Sequence, residues 1–281
     1  MTYASPINVD TKFIDCDFTD SQVRGSYELG CAERDDVTGD RFDVFEDTIG
    51  IIPRNQWTDA IRRIDQLGGS ADRLVTHVFD QGREGTCTSN QTCAGHMVTQ
   101  AVQFGRDRVA VLSPISLYMR CAPNSRVGSS VGENLQEARD RGILPQDTLK
   151  NRGLMGDFFE HSMSATGYDK RKYSPGWGDT ARFFRNDEYY DIRSSDGFVS
   201  ALLRGFVVGY GRSGHSILAV RPVIRNNDVY VIYINSWGQD WGDTLHNLRG
   251  WGYDSPRMYG AGAQRYGCYA IRTAIVPPWE R

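Results

Sequence analysis

Hydrophobic positions along the first half of the chain recur at helical spacing. Apolar residues from Ala94 to Ala101 predict a helix that starts close to Cys87. Periodicity and capping residues predict three more helices: Trp57–Leu67, one that opens at Ser113-Pro114, and one that opens with the capping box Ser130–Glu133. Residues 71–145 are therefore predicted to be mainly helical, whereas residues 1–50 are predicted to be irregular or to form short strands.

The last third of the chain carries the apolar runs that are typical of strands. A helix over Ser195–Arg204 is predicted to precede them. We predict four strands of a twisted antiparallel sheet: Phe206–Tyr210, His215–Ile224, Val229–Ile234 and Cys268–Val276. Residues 146–194 are loop-rich and residues 243–266 form a glycine- and tyrosine-rich insertion, so neither stretch is assigned in detail. Together the patterns predict an α+β fold.

Composition excludes several classes of protein. A hydrophobic content of 40% in 281 residues suffices for one large domain or two lobes with a cleft between them. A net charge of −3 gives no electrostatic case for nucleic-acid binding. No run approaches the 18 or more apolar residues of a membrane span, and the polar start is not a secretory signal. We therefore expect a location in the cytoplasm or in a packaged particle.

The cysteine pattern gives no sign of a metal site. The six cysteines, at positions 16, 31, 87, 93, 121 and 268, contain no C-x-x-C pair of the kind that holds zinc. Without a secretory signal, we expect these thiols to be reduced. No metal or organic cofactor is predicted.

Cys87 is the candidate nucleophile. It follows a glycine-rich turn and opens the predicted helix, where unpaired backbone N–H groups and the helix dipole favour an anion. That environment lowers a thiol pKa and favours the thiolate, which is the form that attacks carbonyl carbon. The sequence therefore predicts a reactive cysteine at this helix start.

His215 and Asn235 are the candidate partners of this thiol. His215 begins one predicted strand and Asn235 follows the next, with turn residues between the two strands. Paired antiparallel strands lie about 5 Å apart, so the start of the first and the end of the second meet at one sheet edge. A thiol, an imidazole and an amide that fixes the imidazole tautomer are the components of a thiol peptidase.

At these residues the chain resembles the papain-like cysteine peptidases. Gln81-Gly82-Arg83-Glu84-Gly85-Thr86-Cys87-Thr88 is similar to that family's Q-G-x-C-G-S-C-W segment, and Asn235-Ser236-Trp237-Gly238 matches its N-S-W-G segment. The order and spacing of Cys, His and Asn also follow that family. The resemblance covers roughly residues 51–281 and implies a two-lobed fold, with a helical lobe at about 71–145 and a sheet or barrel lobe at about 196–281.

The resemblance also implies roles for individual side chains. The Gln81 amide and the Cys87 backbone N–H would form the oxyanion hole, and Trp237 would shield the histidine–asparagine hydrogen bond from water. Gly128-Ser129 lies where the family often has a glycine pair along the substrate cleft. Two positions depart from the pattern: Thr88 replaces an aromatic residue, and Glu84 replaces a cysteine that forms a disulfide in exported members.

Three functions remain open. The first is hydrolysis of peptide bonds in a peptide or protein substrate through Cys87, His215, Asn235 and Gln81. The second is a catalytically inactive papain fold that serves as a structural or binding component of a larger assembly, such as a virus particle. The third is an amidase or transglutaminase-like acyl transfer, which the same side chains can support.

Residues 1–50 are predicted to be an acidic extension of a domain that spans residues 51–281. They carry twelve acidic and four basic residues, a net of −8, which leaves +5 for the remainder. Their aromatic residues include Phe13, Phe18, Tyr27, Phe42 and Phe45. Because a disordered acidic tail usually lacks such anchors, we expect the segment to pack along the domain or a neighbouring subunit. It could act as a propeptide, a latch or an assembly arm, and as a latch it would release activity when cleaved near Ile51-Ile52-Pro53.

Overall fold

The computed structural model describes residues 30–34, 42–68, 71–122, 127–162, 173–212, 214–242, 249–255 and 264–280. Its helices are α1 Phe45–Thr48, α2 Arg54–Leu67, α3 Cys87–Phe104, α4 Pro114–Cys121, α5 Val131–Asp140, α6 Leu149–Met155, α7 Trp177–Ala181, α8 Ser195–Leu203 and α9 Gln264–Tyr266. Its strands are β1 Tyr189–Asp191, β2 Val207–Arg212, β3 His215–Arg225, β4 Asp228–Ile234, β5 Trp251–Asp254 and β6 Cys268–Ile271.

The strands form one antiparallel sheet in the order β1-β6-β2-β3-β4-β5. The helices α3, α4 and α5 precede the sheet in sequence and pack together at one side of it. This arrangement confirms the predicted α+β fold with a helical lobe and a sheet lobe.

The predicted helix starts are confirmed by their caps. Ser113 accepts a hydrogen bond from the Ser116 N–H, with Pro114 at the first helical position of α4. At α5 the Ser130 hydroxyl accepts from the Glu133 N–H, while the Glu133 carboxylate accepts from the Ser130 N–H, which completes the capping box.

The β3–β4 hairpin is the local element that carries the candidate histidine and asparagine. Asn226 and Asn227 connect the strands with φ values of +49° and +61°. Two left-handed residues match the right-handed twist of the strands, and asparagine tolerates that conformation better than most residues. The hairpin therefore brings residue 215 and the residues after Ile234 to the same sheet edge.

Helix α3 lies close against one face of the sheet because Gly95 has no side chain. A Cβ added there would lie 2.9 Å from the Ile271 side chain and 3.3 Å from Leu218. All but the last turn of α3 is buried. Cys87, at the helix start, is thereby fixed relative to the strands that carry His215.

The opposite face of the sheet is covered by α8 and by residues that precede the predicted domain. Phe45 is fully buried and contacts Phe206 edge-on, with ring centroids 5.5 Å apart. Phe42, by contrast, is buried on the α3 side of the sheet, where its ring contacts Tyr269 edge-on. Residues 42–50 thus share the hydrophobic core of the residues that follow them. The other aromatic residues of the predicted extension lie outside the described residues.

Several elements differ from the sequence expectations. The predicted strand Cys268–Val276 ends at Ile271, because only Cys268–Ile271 pairs along β2. Strand β5 and helix α9 lie within the predicted insertion, and β1, α6 and α7 lie within the unassigned residues 146–194. Among the described residues, no helix combines the length and apolarity that crossing a membrane requires.

Candidate active site

Cys87 is the first residue of α3 and is completely buried. Backbone groups of Ser216, Gly30 and Thr88 lie close enough to its thiol to lower the thiol pKa. Ser216 is the residue after His215, so the thiol lies beside the start of β3. The structure therefore brings the candidate nucleophile to the sheet edge that carries the candidate base.

His215 and Asn235 form a direct hydrogen bond. The His215 Nε2 lies 2.7 Å from the Asn235 Oδ1, and both residues are buried. The same Oδ1 accepts from the Ser236 backbone N–H at 2.7 Å, which identifies it as the amide oxygen, since a backbone N–H can only donate. The neutral imidazole therefore carries its proton on Nε2 and its lone pair on Nδ1.

Trp237 covers this hydrogen bond. Its ring stacks on His215, with centroids 4.5 Å apart and an angle of 27° between the planes. Trp237 is 2% exposed and also contacts Trp241 edge-on at 5.6 Å. The arrangement places Trp237 where the sequence resemblance expects a shield against water.

Gln81 is held by Ser236. The Ser236 hydroxyl donates to the Gln81 Oε1 at 2.6 Å, and the Gln81 N–H donates to the Ser236 carbonyl at 2.8 Å. The Gln81 Nε2 donates one hydrogen to the Glu84 carbonyl, at 2.8 Å. These bonds tie the loop before Cys87 to the residue that follows Asn235, so the side-chain amide has a fixed orientation.

Thr88, which stands where the resembled family has an aromatic residue, ties the helix start to Ser129. The two hydroxyl groups lie 2.7 Å apart and both residues are buried. The Asn134 Nδ2 donates to the same Ser129 hydroxyl, also at 2.7 Å. The departure at position 88 is thus accommodated by a buried polar network that fixes Ser129 beside the first turn of α3.

A stretch of the predicted extension lies across this site. Cys31 donates its N–H to the Gly214 carbonyl at 2.8 Å, next to His215. Ala32 donates to the Ser129 carbonyl at 3.1 Å, and Ser129 donates to the Gly30 carbonyl at 2.9 Å. Residues 30–34, here called the cleft segment, therefore run parallel to the chain at Ser129.

Two glycines, Gly30 and Gly128, allow the cleft segment to come this close. A Cβ on Gly30 would lie 1.9 Å from the Gly85 carbonyl oxygen. A Cβ on Gly128 would lie 1.9 Å from the Gly30 carbonyl oxygen. Because both obstacles are backbone atoms, no side-chain rotation could relieve either collision. Gly30 therefore lies in a narrow slot between Gly85 and Gly128, here called the Gly30 slot, which has room for backbone atoms only.

Burial sets the protonation of both reactive groups. It raises the pKa of the Cys87 thiol to about 11, although hydrogen bonds from Ser216 and Gly30 act in the opposite direction. It lowers the pKa of His215 to about 4, against the effect of the Asn235 hydrogen bond. The expected low thiol pKa is therefore wrong for this covered state, because desolvation outweighs the helix dipole.

Sequence reasoning named Cys87, His215, Asn235, Gln81 and Trp237, and the structure brings all five to one edge of the sheet. It missed the roles of Ser236, Gly214 and the cleft segment. Ser236 belongs to the quoted N-S-W-G motif and could have been found there. The cleft segment pairs with Ser129 across almost a hundred residues, and no local pattern signals such a contact. Among the described residues, no group of three or more potential ligands could hold a metal ion.

No family model and no curated protein sequence matches the chain. Solved structures do. Procathepsin L 3 from the larval midgut of Tenebrio molitor superposes with a TM-score of 0.53 at 19% identity, over 71% of this chain and 67% of that one. The recombinant stem bromelain precursor gives 0.51 at 12% identity, over 88% and 77%. The ragweed pollen cysteine protease Amb a 11, in its proform, gives 0.51 at 14%, over 71% and 62%.

These likenesses establish the architecture. The chain has the papain-like cysteine protease fold, as the sequence resemblance predicted. At 12–19% identity they carry the fold alone.

Proposed function

We propose that this protein is a cysteine peptidase that hydrolyses peptide bonds through Cys87, His215 and Asn235. The observation that carries the proposal is the 2.7 Å hydrogen bond from His215 to Asn235, placed under Trp237 at the edge where the Cys87 thiol lies. A buried imidazole that is held by an amide, at the sheet edge where a helix-start thiol lies, is suited to nucleophilic acyl chemistry.

In the proposed reaction, His215 takes the Cys87 proton at Nδ1, and the sulfur attacks the carbonyl carbon of the peptide bond. The oxyanion is held by the Cys87 backbone N–H and by the second Nε2 hydrogen of Gln81. The C–N bond then breaks, and the imidazolium returns its proton to the departing amine. Water attacks the resulting thioester with His215 as base, which releases the acid and restores the thiol.

Asn235 keeps the ring of His215 in the tautomer that this reaction requires. Its oxygen accepts a hydrogen bond from the Nε2–H group, so Nδ1 can receive the thiol proton and then donate it. Ser236 contributes twice, because its N–H orients the Asn235 amide and its hydroxyl orients Gln81. Both halves of the site are thus set by consecutive residues after β4.

The proposal includes a covered and an uncovered state of the enzyme. In the covered state the cleft segment lies on Cys87, so substrate has no access to the thiol. Each of the three similar structures is described as a pro-form or precursor, which is consistent with this assignment. Release requires movement of residues 30–34, whereas residues 42–50 can stay in place because Phe42 and Phe45 belong to the core.

The direct test compares hydrolysis of a fluorescent casein by the wild type and by Gly30→Ala, which obstructs the covered state. We expect the second to be the faster, and Cys87→Ser in that background to abolish the activity. Cys121→Ser is the matched control, because it removes a half-buried thiol outside the site. Hydrolysis that survives Cys87→Ser would refute the mechanism.

The covered thiol also favours a second candidate, an inactive papain fold that serves as a component of an assembly. A thiol with a pKa of about 11 beside an imidazole with a pKa of about 4 is a neutral, unreactive pair. If Gly30→Ala exposes Cys87 to alkylation yet hydrolyses no peptide, the inactive scaffold is the better assignment. Mass analysis of the products separates hydrolysis from acyl transfer to an added amine.

A further inference from the structure

The far end of the cleft segment is held by a buried ion pair. The Arg34 guanidinium donates two hydrogen bonds to the Asp191 carboxylate, at 3.0 Å and 2.7 Å. The Asp191 side chain is 0% exposed and that of Arg34 is 17% exposed. Two parallel hydrogen bonds between a planar guanidinium and a carboxylate form the strongest and most geometrically specific kind of ion pair.

The surroundings of Asp191 complete a site for a guanidinium group. Tyr269 is its direct partner across strands β1 and β6, so its ring stands beside the carboxylate. The Arg34 Cζ lies 5.8 Å from the centroid of that ring. The Arg34 backbone N–H also donates to the Arg265 carbonyl, at 2.8 Å. The Asp191 carboxylate, the Tyr269 ring and the Arg265 carbonyl together favour an extended chain that carries arginine at this position.

We propose that Asp191 and Tyr269 form a guanidinium-binding site, and that its occupancy by Arg34 locks the cleft segment over Cys87. The lock would regulate the proposed peptidase, so its regulatory role rests on that function. The guanidinium-binding site itself does not. Arg34 is three residues from Cys31, so the site fixes the end of the segment that the Gly30 slot does not.

The other contacts of the segment are weaker. Its backbone hydrogen bonds to Ser129 and Gly214 are ordinary ones, each replaceable by water when the segment leaves. The nearby ion pair between Glu33 and Arg265 is exposed at both ends, and such pairs contribute little. The buried Arg34–Asp191 pair is therefore the strongest single contact of the segment, and its loss should free the segment.

A second arginine allows Arg34 to leave the site and return to it. The Arg193 Nε lies 3.2 Å from the same Asp191 oxygen, and this side chain is 54% exposed. When Arg34 departs, the carboxylate keeps one positive partner and gains access to water, so no unpaired charge remains buried. The lock can open without unfolding the sheet to which Asp191 belongs.

The test measures how fast iodoacetamide alkylates Cys87, followed peptide by peptide with mass spectrometry. We expect Arg34→Ala to raise the rate by about 10²-fold, because one partner of a buried charge pair is lost. Asp191→Asn should raise it to a similar extent. The double variant should be no faster than either single variant, since both changes remove one interaction. Arg34→Lys keeps the charge but loses the two parallel hydrogen bonds of the guanidinium, so we expect the alkylation rate to rise about tenfold.

Arg193→Ala is the matched control, because it removes an exposed arginine from the same carboxylate. We expect its rate to rise by less than about fivefold. The proposal is overturned if Arg34→Ala and Arg34→Lys are both alkylated at the wild-type rate. It is also overturned if the effects of Arg34→Ala and Asp191→Asn multiply in the double variant. The assay needs no hydrolysis, so a protein that shows the expected rates but cleaves no peptide would retain the lock and lose the proposed function.

Discussion

Gly30→Ala is the substitution that most directly tests how residues 30–34 cover Cys87. Its added Cβ would lie 1.9 Å from the oxygen and 2.2 Å from the carbon of the Gly85 carbonyl. Real Cβ atoms do not approach backbone atoms within 3.0 Å, so the segment must move by about 1 Å or more. Gly30 is not among the glycines with positive φ, so alanine meets a collision there rather than backbone strain.

The free-energy change between the covered and uncovered states follows from the contacts that such a shift breaks. Three backbone hydrogen bonds join the segment to Ser129 and Gly214, and each contributes about 0.5–1.5 kcal/mol. Cys31 is 7% exposed, and burial of its small side chain adds about 1 kcal/mol. Loss of most of this favours the uncovered state by about 2–4 kcal/mol, which is roughly a 30- to 1,000-fold change in the equilibrium.

The assay is alkylation of Cys87, with rates limited by how often the segment leaves the cleft. We expect Gly30→Ala to be alkylated about 10²-fold faster than the wild type, because the lost contacts shift the equilibrium towards the uncovered state. Gly128→Ala should act similarly from the opposite wall, since its Cβ would meet the Gly30 oxygen at 1.9 Å. Gly153→Ala is the control, because no atom lies within 4 Å of its Cβ. Equal rates for Gly30→Ala and the wild type would refute the assignment of the slot.

Three further outcomes are expected. Burial lowers the pKa of His96 to about 3, so the unfolded chain binds a proton that the folded chain does not, and the stability should fall from about pH 6.5 towards pH 3. The free energy of unfolding in urea should therefore differ less between pH 7 and pH 4.5 for His96→Gln than for the wild type. An equal difference in the two proteins would exclude this cause. Trp237→Ala should raise the pKa of His215 from about 4 towards its ordinary value, because desolvation is the largest cause of the shift, and an NMR titration of the imidazole checks it. Ser236→Ala should lower kcat about tenfold or more by releasing the Gln81 amide from its 2.6 Å hydrogen bond, while an unchanged kcat would remove Gln81 from the oxyanion hole.

The parts of the site that were predictable are local in sequence. His215 and Asn235 meet because one hairpin joins their strands, and the turn residues of that hairpin are visible in the sequence. The helix that starts at Cys87 follows from apolar periodicity and a preceding glycine-rich turn. In each case the determining residues lie within about twenty positions of one another.

The parts that were not predictable depend on distant pairings. Strand β1 is three residues long and is defined by its partner β6, about eighty residues later. The pairing of Cys31 with Ser129 has no periodic signature either. The direction of the Cys87 pKa shift was wrong for the same reason. A helix dipole can be inferred from the sequence around Cys87, but the burial that desolvates the thiol exists only in the folded chain.

Covering and ionisation of the nucleophile are therefore linked in the proposed enzyme. In the covered state desolvation is the largest cause of the raised pKa of Cys87. Departure of residues 30–34 admits water and leaves the thiol at a helix start, where the dipole and backbone N–H groups favour the thiolate. Because the covered state holds its proton up to about pH 11, it is stabilised at low pH and loses that advantage as the pH rises above the pKa of the uncovered thiol. The same movement thus exposes the sulfur and makes it the stronger nucleophile.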